Sequence, residues 1–199
     1  MSQHVLAPTL LAQAFLPERD GAAGLARRAA LVAGGVAALA LASKVQVPLW
    51  PSPVPINLGS MAALAVGAAY GARLGLVTVL VWLALGSLGA DVFAGSASGA
   101  TGLAYLLGGT GGYLAGYAAA VAIVGALAAR GWSRRPLRMA GALVLGHVAL
   151  YALGLLWLRG FAADWTQTLA WGLTPFLVGD AIKIALVTLA APLAWRAAR

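Results

Sequence analysis

Asp180 and Lys183 stand three residues apart in an otherwise apolar run, so on a helix their side chains share one face about a turn apart. A carboxylate only accepts hydrogen bonds and an ammonium only donates them. Together they suit a polar head bearing both N–H and C=O groups, such as an amide, a urea or an amino acid. The alternative is an intrahelical ion pair that only neutralises itself. Either charge costs about 2.5 to 3.5 kcal/mol or more at membrane depth, and a helix gains little from hosting a pair whose desolvation it must offset. Ligand binding is therefore the favoured reading.

The membrane setting follows from composition. Of 199 residues, 62% are hydrophobic and 9% charged, and the mean hydropathy is +0.90, far from the balance of soluble domains. No cysteine is present, which excludes disulfides, thiolate metal sites and cysteine nucleophiles. The net charge of +8 would suit nucleic acid, but the basic residues sit at the ends of apolar runs rather than on one face with aromatics between them. No nucleic-acid partner is implied, and no cofactor.

Apolar runs and their breakers predict spans at 25–43, 57–71, 73–90, 102–129, 136–158 and 171–195. The fold class is thus all-α, an integral membrane bundle of six transmembrane helices. Residues 1–24 form an N-terminal cytoplasmic or interfacial segment and 25–199 one membrane domain. Val5 to Leu16 is apolar and suits the interface. Arg27 and Arg28 precede the first apolar run and no convincing cleavage site follows it, so this span is read as retained rather than as a signal peptide.

Ten of the thirteen basic residues fall on one side of the six spans: Arg19, Arg27 and Arg28, then Arg73, then Arg130, Arg134, Arg135 and Arg138, and finally Arg196 and Arg199. By the positive-inside rule that side and both termini are cytoplasmic. On the other side, Val47 to Pro55 carries four prolines, which forbid a helix and favour an extended, ordered loop. Gly95 to Gly102, rich in small residues and hydroxyls, is a candidate lid or pocket wall. If the last span enters from the outer side near Trp171, Asp180 lies nine residues in, roughly 13 Å at helical rise, and the pair floors an outward-facing pocket.

Trp50, Phe93, Tyr105, Trp165 and Trp171 gather toward that outer side, either to pack an apolar ligand body or as an interfacial belt. Gly67, Gly71 and Gly75, and Gly108, Gly112 and Gly116, recur every four residues and read as close helix packing. A small-residue stripe through Ala30, Gly34, Ala38 and Ala42 on span one is the better candidate for a partner subunit. His147, with no titratable neighbour in sequence, reads as a helix-packing hydrogen bonder, and Asp91 and Asp164 as hydrated surface charges. Catalysis has little support. Asp180 has no second intramembrane aspartate for a dyad, and Ser96 and Ser98 have no base with an orienting acid. A structural subunit without any ligand is the remaining alternative.

The chain resembles the BioY family, the substrate-binding S components of energy-coupling-factor (ECF) transporters for biotin. The carriers are Val47-Pro48-Leu49 with Pro53-Val54-Pro55, Gly86-Ser87-Leu88-Gly89 leading to Val92-Phe93-Ala94-Gly95, Gly108 to Leu114, and Thr174 to Asp180 followed by Lys183. Gly59-Ser60, Ala90-Asp91 and Gly109 depart from the family's usual residues. The resemblance implies uptake of biotin across the cytoplasmic membrane, with no enzymatic activity. It implies a pocket holding Asp180 and Lys183 on the bicyclic urea head, or in the reverse pose Lys183 on the carboxylate, with Phe93, Tyr105 and Trp50 packing the ligand and loop hydroxyls such as Ser96 near the mouth. A different vitamin on the same architecture is the alternative. It also implies a transmembrane T component, meeting span one at Ala38 and Ala42, and cytoplasmic ATPases. ATP belongs to those partners, since this chain has no G-x-x-x-x-G-K-[ST] loop.

Overall fold

The computed structural model describes residues 10–17, 20–95 and 99–198. Among these, five helical runs are long and apolar enough to cross a membrane. A short helix, α1 (Leu11–Phe15), precedes α2 (Gly21–Lys44), which starts four residues before the expected 25. The proline segment that follows is closed by a two-residue antiparallel ladder, β1 (Gln46–Val47) with β2 (Ile56–Asn57), in the register Gln46 to Asn57 and Val47 to Ile56. Prolines lack the N–H that a longer ladder needs, so pairing stops at the base of the loop. Its Trp50–Pro51 peptide is cis.

The expected second and third spans are the two halves of one element, α3 (Gly59–Ser87), interrupted at Gly71 with φ 78° and ψ 177°. That backbone is open to glycine and strained for any other residue. Here the chain reverses: a Cβ at Gly75 would lie 3.5 Å from the Gly67 Cα, whereas a straight helix holds residues eight apart about 12 Å from each other. Gly71 is therefore the turn of a helical hairpin rather than part of a packing stripe.

The expected fourth span also divides. α4 (Gly102–Leu107) ends at Gly108, and the crossing helix is α5 (Gly111–Ala129). A 3₁₀ turn at Trp132–Arg134 leads to α6 (Pro136–Leu158), opened by a proline at its first position, where a missing N–H costs nothing. Then come α7 (Trp165–Gly172), a 3₁₀ turn at Thr174–Phe176 and α8 (Leu177–Ala197).

Helix α5 runs through the centre, with Ala120, Val121 and Val124 fully buried. Glycines set how near its neighbours come. A Cβ at Gly125 would stand 2.3 Å from the Ala72 backbone nitrogen, and one at Gly116 would stand 2.9 Å from the Leu150 Cα. Such approach maximises the dispersion contacts that hold helices together where lipid removes the hydrophobic drive.

The two ends of the bundle differ in chemistry. At one end Arg27, Arg28 and Arg73 border the Gly71 turn with Ala129, and Arg134 lies 4.3 Å over the Trp195 ring. Here α1 tucks under the hairpin: Leu10 is the nearest side chain to Gly71, and Arg27 donates to the Leu16 and Ala12 carbonyls at 2.7 and 2.8 Å. The proline loop and the starts of α3, α5 and α8 lie at the opposite end.

Candidate functional site

The charged pair does not sit midway along an uninterrupted last span. Pro175 and the 3₁₀ turn reset the helix, so Asp180 occupies the first turn of α8. There the unpaired N–H groups at the helix start favour a carboxylate. Asp180 and Lys183 are 7% and 5% exposed, so both charges need partners within the protein.

Those partners come from three helices. Lys183 Nζ lies 2.8 Å from Asp180 Oδ1 and donates to the Ser60 hydroxyl, in the first turn of α3, at 3.0 Å. The Tyr151 phenol of α6 donates to Asp180 Oδ2. One turn back on α6, His147 Nδ1 is 3.0 Å from the Leu143 carbonyl oxygen, while its buried Nε2 lies 3.8 Å from Asp180 Oδ2 without a hydrogen-bond partner. Both carboxylate oxygens are thus engaged, each with lone-pair capacity left, and the ammonium retains one proton for a ligand. His147 does bond within its own helix, as its isolation in sequence suggested. The fold also sets it beside the carboxylate, which sequence separation concealed.

The pair closes the inner end of a small cavity of about 50 Å³. Asn57 and Ser60 add polar groups to its wall, and Tyr105, Tyr113, Tyr117 and Tyr151 supply rings. Above it lies a vestibule of about 480 Å³ framed by Gln46, the proline loop, Gly95 and Gly109. Pro55, Tyr105 and Thr110 line both chambers and form the partition between them.

Hydrogen bonds across the fold hold these walls. The Tyr113 hydroxyl donates to the Gly172 carbonyl at 2.8 Å, in a space where a Cβ at Gly172 would come within 2.2 Å of that oxygen. The Ser52 hydroxyl donates to the Trp171 carbonyl at 2.9 Å, tying the proline loop to the end of α7. Tyr117 stacks on Trp82 at 5.9 Å, and Trp82 Nε1 donates to the Val92 carbonyl at 3.1 Å, fixing the segment that carries Phe93.

Of the residues singled out in the sequence, Asp180, Lys183 and Tyr105 line the inner cavity. Phe93 stands behind it, stacked on Tyr105 at 5.0 Å and edge-on to Trp82 at 4.9 Å. Trp50 is 92% exposed on the vestibule rim and does not reach the inner chamber. Ser96 lies outside the described residues. Ala38 is exposed on α2 and Ala42 half-buried beside it, whereas Gly35, Leu39 and Ser43 are buried. Asp91 pairs with Lys44, and Asp164 caps α7 by accepting from Gln167 N at 2.7 Å.

Tyr113, Tyr117, Tyr151, Asn57 and Ser60 were missed as site residues. A signal existed for some of them: Tyr113 with Tyr117, and His147 with Tyr151, repeat polar side chains at four-residue spacing on otherwise apolar helices. As a whole the site can accept and donate hydrogen bonds to one small polar head, enclose it in aromatic surface, and leave an attached chain in the vestibule.

A family model described as the BioY family matches residues 10–199. Biotin transporter BioY2 of Lactococcus lactis subsp. cremoris is 33% identical over 163 residues, covering 80% of this chain and 85% of that protein. A probable biotin transporter BioY of Pyrococcus horikoshii is 32% identical over 166 residues, covering 83% and 94%. A crystal structure of the S-component for biotin from an ECF-type ABC transporter superposes with a TM-score of 0.76 over 89% of this chain and 95% of that one. At 23% identity that likeness speaks for the fold.

Proposed function

The chain belongs to the BioY family, and from that premise we propose that this multi-pass membrane protein takes up biotin as the substrate-binding S component of an ECF transporter. The observation that carries the reading is the division of the site into an inner chamber closed by Asp180 and Lys183 and a vestibule without a charged lining residue among those described. Biotin has the same division: a bicyclic urea head and a flexible chain ending in a carboxylate.

The head goes inward. Urea N–H groups meet Asp180, the urea oxygen takes the remaining ammonium proton of Lys183, and the tyrosines cover the ring faces. The reverse pose would set a second carboxylate beside Asp180 with Lys183 shared between them, a like-charge contact that is costly away from water. The inner chamber is smaller than a bicyclic head, so Tyr105, on the partition, moves aside as the ligand enters. Phe93 supports Tyr105 from behind, Trp50 lies over the chain at the rim, and Ser96 belongs to the loop that receives the carboxylate.

Six crossings are obtained by counting each half of α3 as one. The arginine-bearing end faces the cytoplasm by the positive-inside rule, with both termini on that side of the cytoplasmic membrane. A T component meets α2 at Ala38 and Ala42, and cytoplasmic ATPases supply the energy. The named relatives are transporters, in keeping with a chain that catalyses no reaction.

Equilibrium binding of biotin and other vitamins to the detergent-solubilised protein tests the reading. Biotin binds and the others do not, and replacing the urea oxygen, as in 2-iminobiotin, weakens binding more than esterifying the carboxylate. Tight binding of another vitamin in place of biotin would overturn the substrate; a larger loss with the ester would overturn the pose.

A further inference from the structure

We propose that the arginine-lined cavity at the Gly71 end of the bundle binds the phosphate head group of an anionic phospholipid. This cavity, about 690 Å³, is remote from Asp180 and Lys183 and shares no lining residue with either outer chamber. Three arginines line it, Arg27, Arg28 and Arg73, and no acidic residue does so among the described residues.

The three arginines have different tasks. Arg27 spends N–H groups on the Leu16 and Ala12 carbonyls, which holds α1 in place as a wall. Arg28 and Arg73 are exposed and have no ion pair among the described residues, so their planar forks remain for phosphate oxygens. Tyr70, the residue before the turn, also lines the cavity.

The walls select a lipid over a free anion. Val77, 48% exposed, and Ala126 line the same cavity on the side toward the apolar helices, where they can cover the first methylenes of an acyl chain. Arg27 and Arg28 lie in the first turns of α2, and Ala129 is the last residue of α5, so the cavity opens at head-group level. Basic pockets between transmembrane helices at that level suit anionic head groups.

The test reconstitutes the full chain into nanodiscs of phosphatidylcholine with phosphatidylglycerol at seven to three, extracts it in mild detergent, and quantifies retained lipid by native mass spectrometry. The wild type retains phosphatidylglycerol in preference to phosphatidylcholine. The double variant Arg28→Gln/Arg73→Gln loses that affinity roughly 25-fold, the product of two basic contacts each worth about fivefold. Arg28→Lys/Arg73→Lys keeps the charge but not the fork and loses less affinity than the Gln variant, which separates a lost contact from a lost fold. Equal retention of both lipids, or no loss in the Gln variant, overturns the proposal. Inorganic phosphate binding as tightly as the lipid would make this a free-anion site and overturn it too. So would unchanged lipid retention accompanied by loss of a co-expressed T component, which would mark a protein-docking surface.

Discussion

The Lys183 ammonium donates to the Ser60 hydroxyl at 3.0 Å, joining the second turn of α8 to the first turn of α3 across 123 residues of chain. Burial requires partners for the ammonium beyond Asp180, and Ser60 takes a second of its three protons. This contact holds the ammonium at the cavity wall, with one proton left over.

Removing either charge weakens biotin binding. Asp180→Asn loses about 10- to 100-fold in affinity, the range for a hydrogen bond to a charged group. Lys183→Ala loses more and also lowers the melting temperature, because the buried carboxylate is left without its cation. Titration of labelled biotin beside a thermal melt reads both effects; unchanged affinity in the two variants would remove the pair from the site.

Tyr151→Phe deletes the phenol that donates to Asp180 Oδ2 while keeping the ring that walls the cavity. The expected cost is about 1 to 3 kcal/mol of stability for an under-satisfied buried carboxylate, with a smaller loss of affinity than for Asp180→Asn. A melt no lower than wild type would mean that this phenol does not support Asp180.

Trp50 and Tyr105 separate rim from wall. Trp50→Ala, at a side chain 92% exposed, changes biotin affinity by less than about threefold, whereas Tyr105→Ala removes a buried ring and costs about tenfold or more. Calorimetric titration of the two variants decides it, and a larger effect at Trp50 would count against the inner chamber as the head-group site.

Gly125 admits no side chain. A methyl there meets the Ala72 nitrogen at 2.3 Å, while one at Gly34 meets nothing within 4 Å. Gly125→Ala therefore destabilises by about 1 to 3 kcal/mol through overpacking, and Gly34→Ala, inside α2 with open space around it, leaves the melting temperature of the isolated protein the same or slightly higher. Equal melts would mean that the contact between α5 and the hairpin turn relaxes freely.

Ala38→Leu tests the outer face of α2. Because Ala38 is exposed in the isolated chain, the variant retains biotin binding but recovers less of a co-expressed T component on affinity purification. Full recovery would place the partner on another face.

Composition, the positions of the breakers and the distribution of arginine decided the membrane setting, the approximate spans and the chemical difference between the two ends. These are local or additive properties: each residue carries its own transfer cost wherever it stands. The spacing of Asp180 and Lys183 likewise predicted their contact, since three residues on a helix guarantee a shared face. Long-range placement decided the rest. Gly71 could be read as packing or as a turn until its backbone and the approach of Gly67 to Gly75 were known, because glycine suits both equally. Phe93 could not be told from Tyr105 as a wall residue, since both are buried aromatics and only their stacking order sets which faces the cavity. Ser60, Tyr151 and His147 reach Asp180 through the packing of α3, α6 and α8. Helix packing brings them there, and the requirement that buried charges be hydrogen-bonded fixes their pairing; neither has a counterpart in the spacing of residues along the chain.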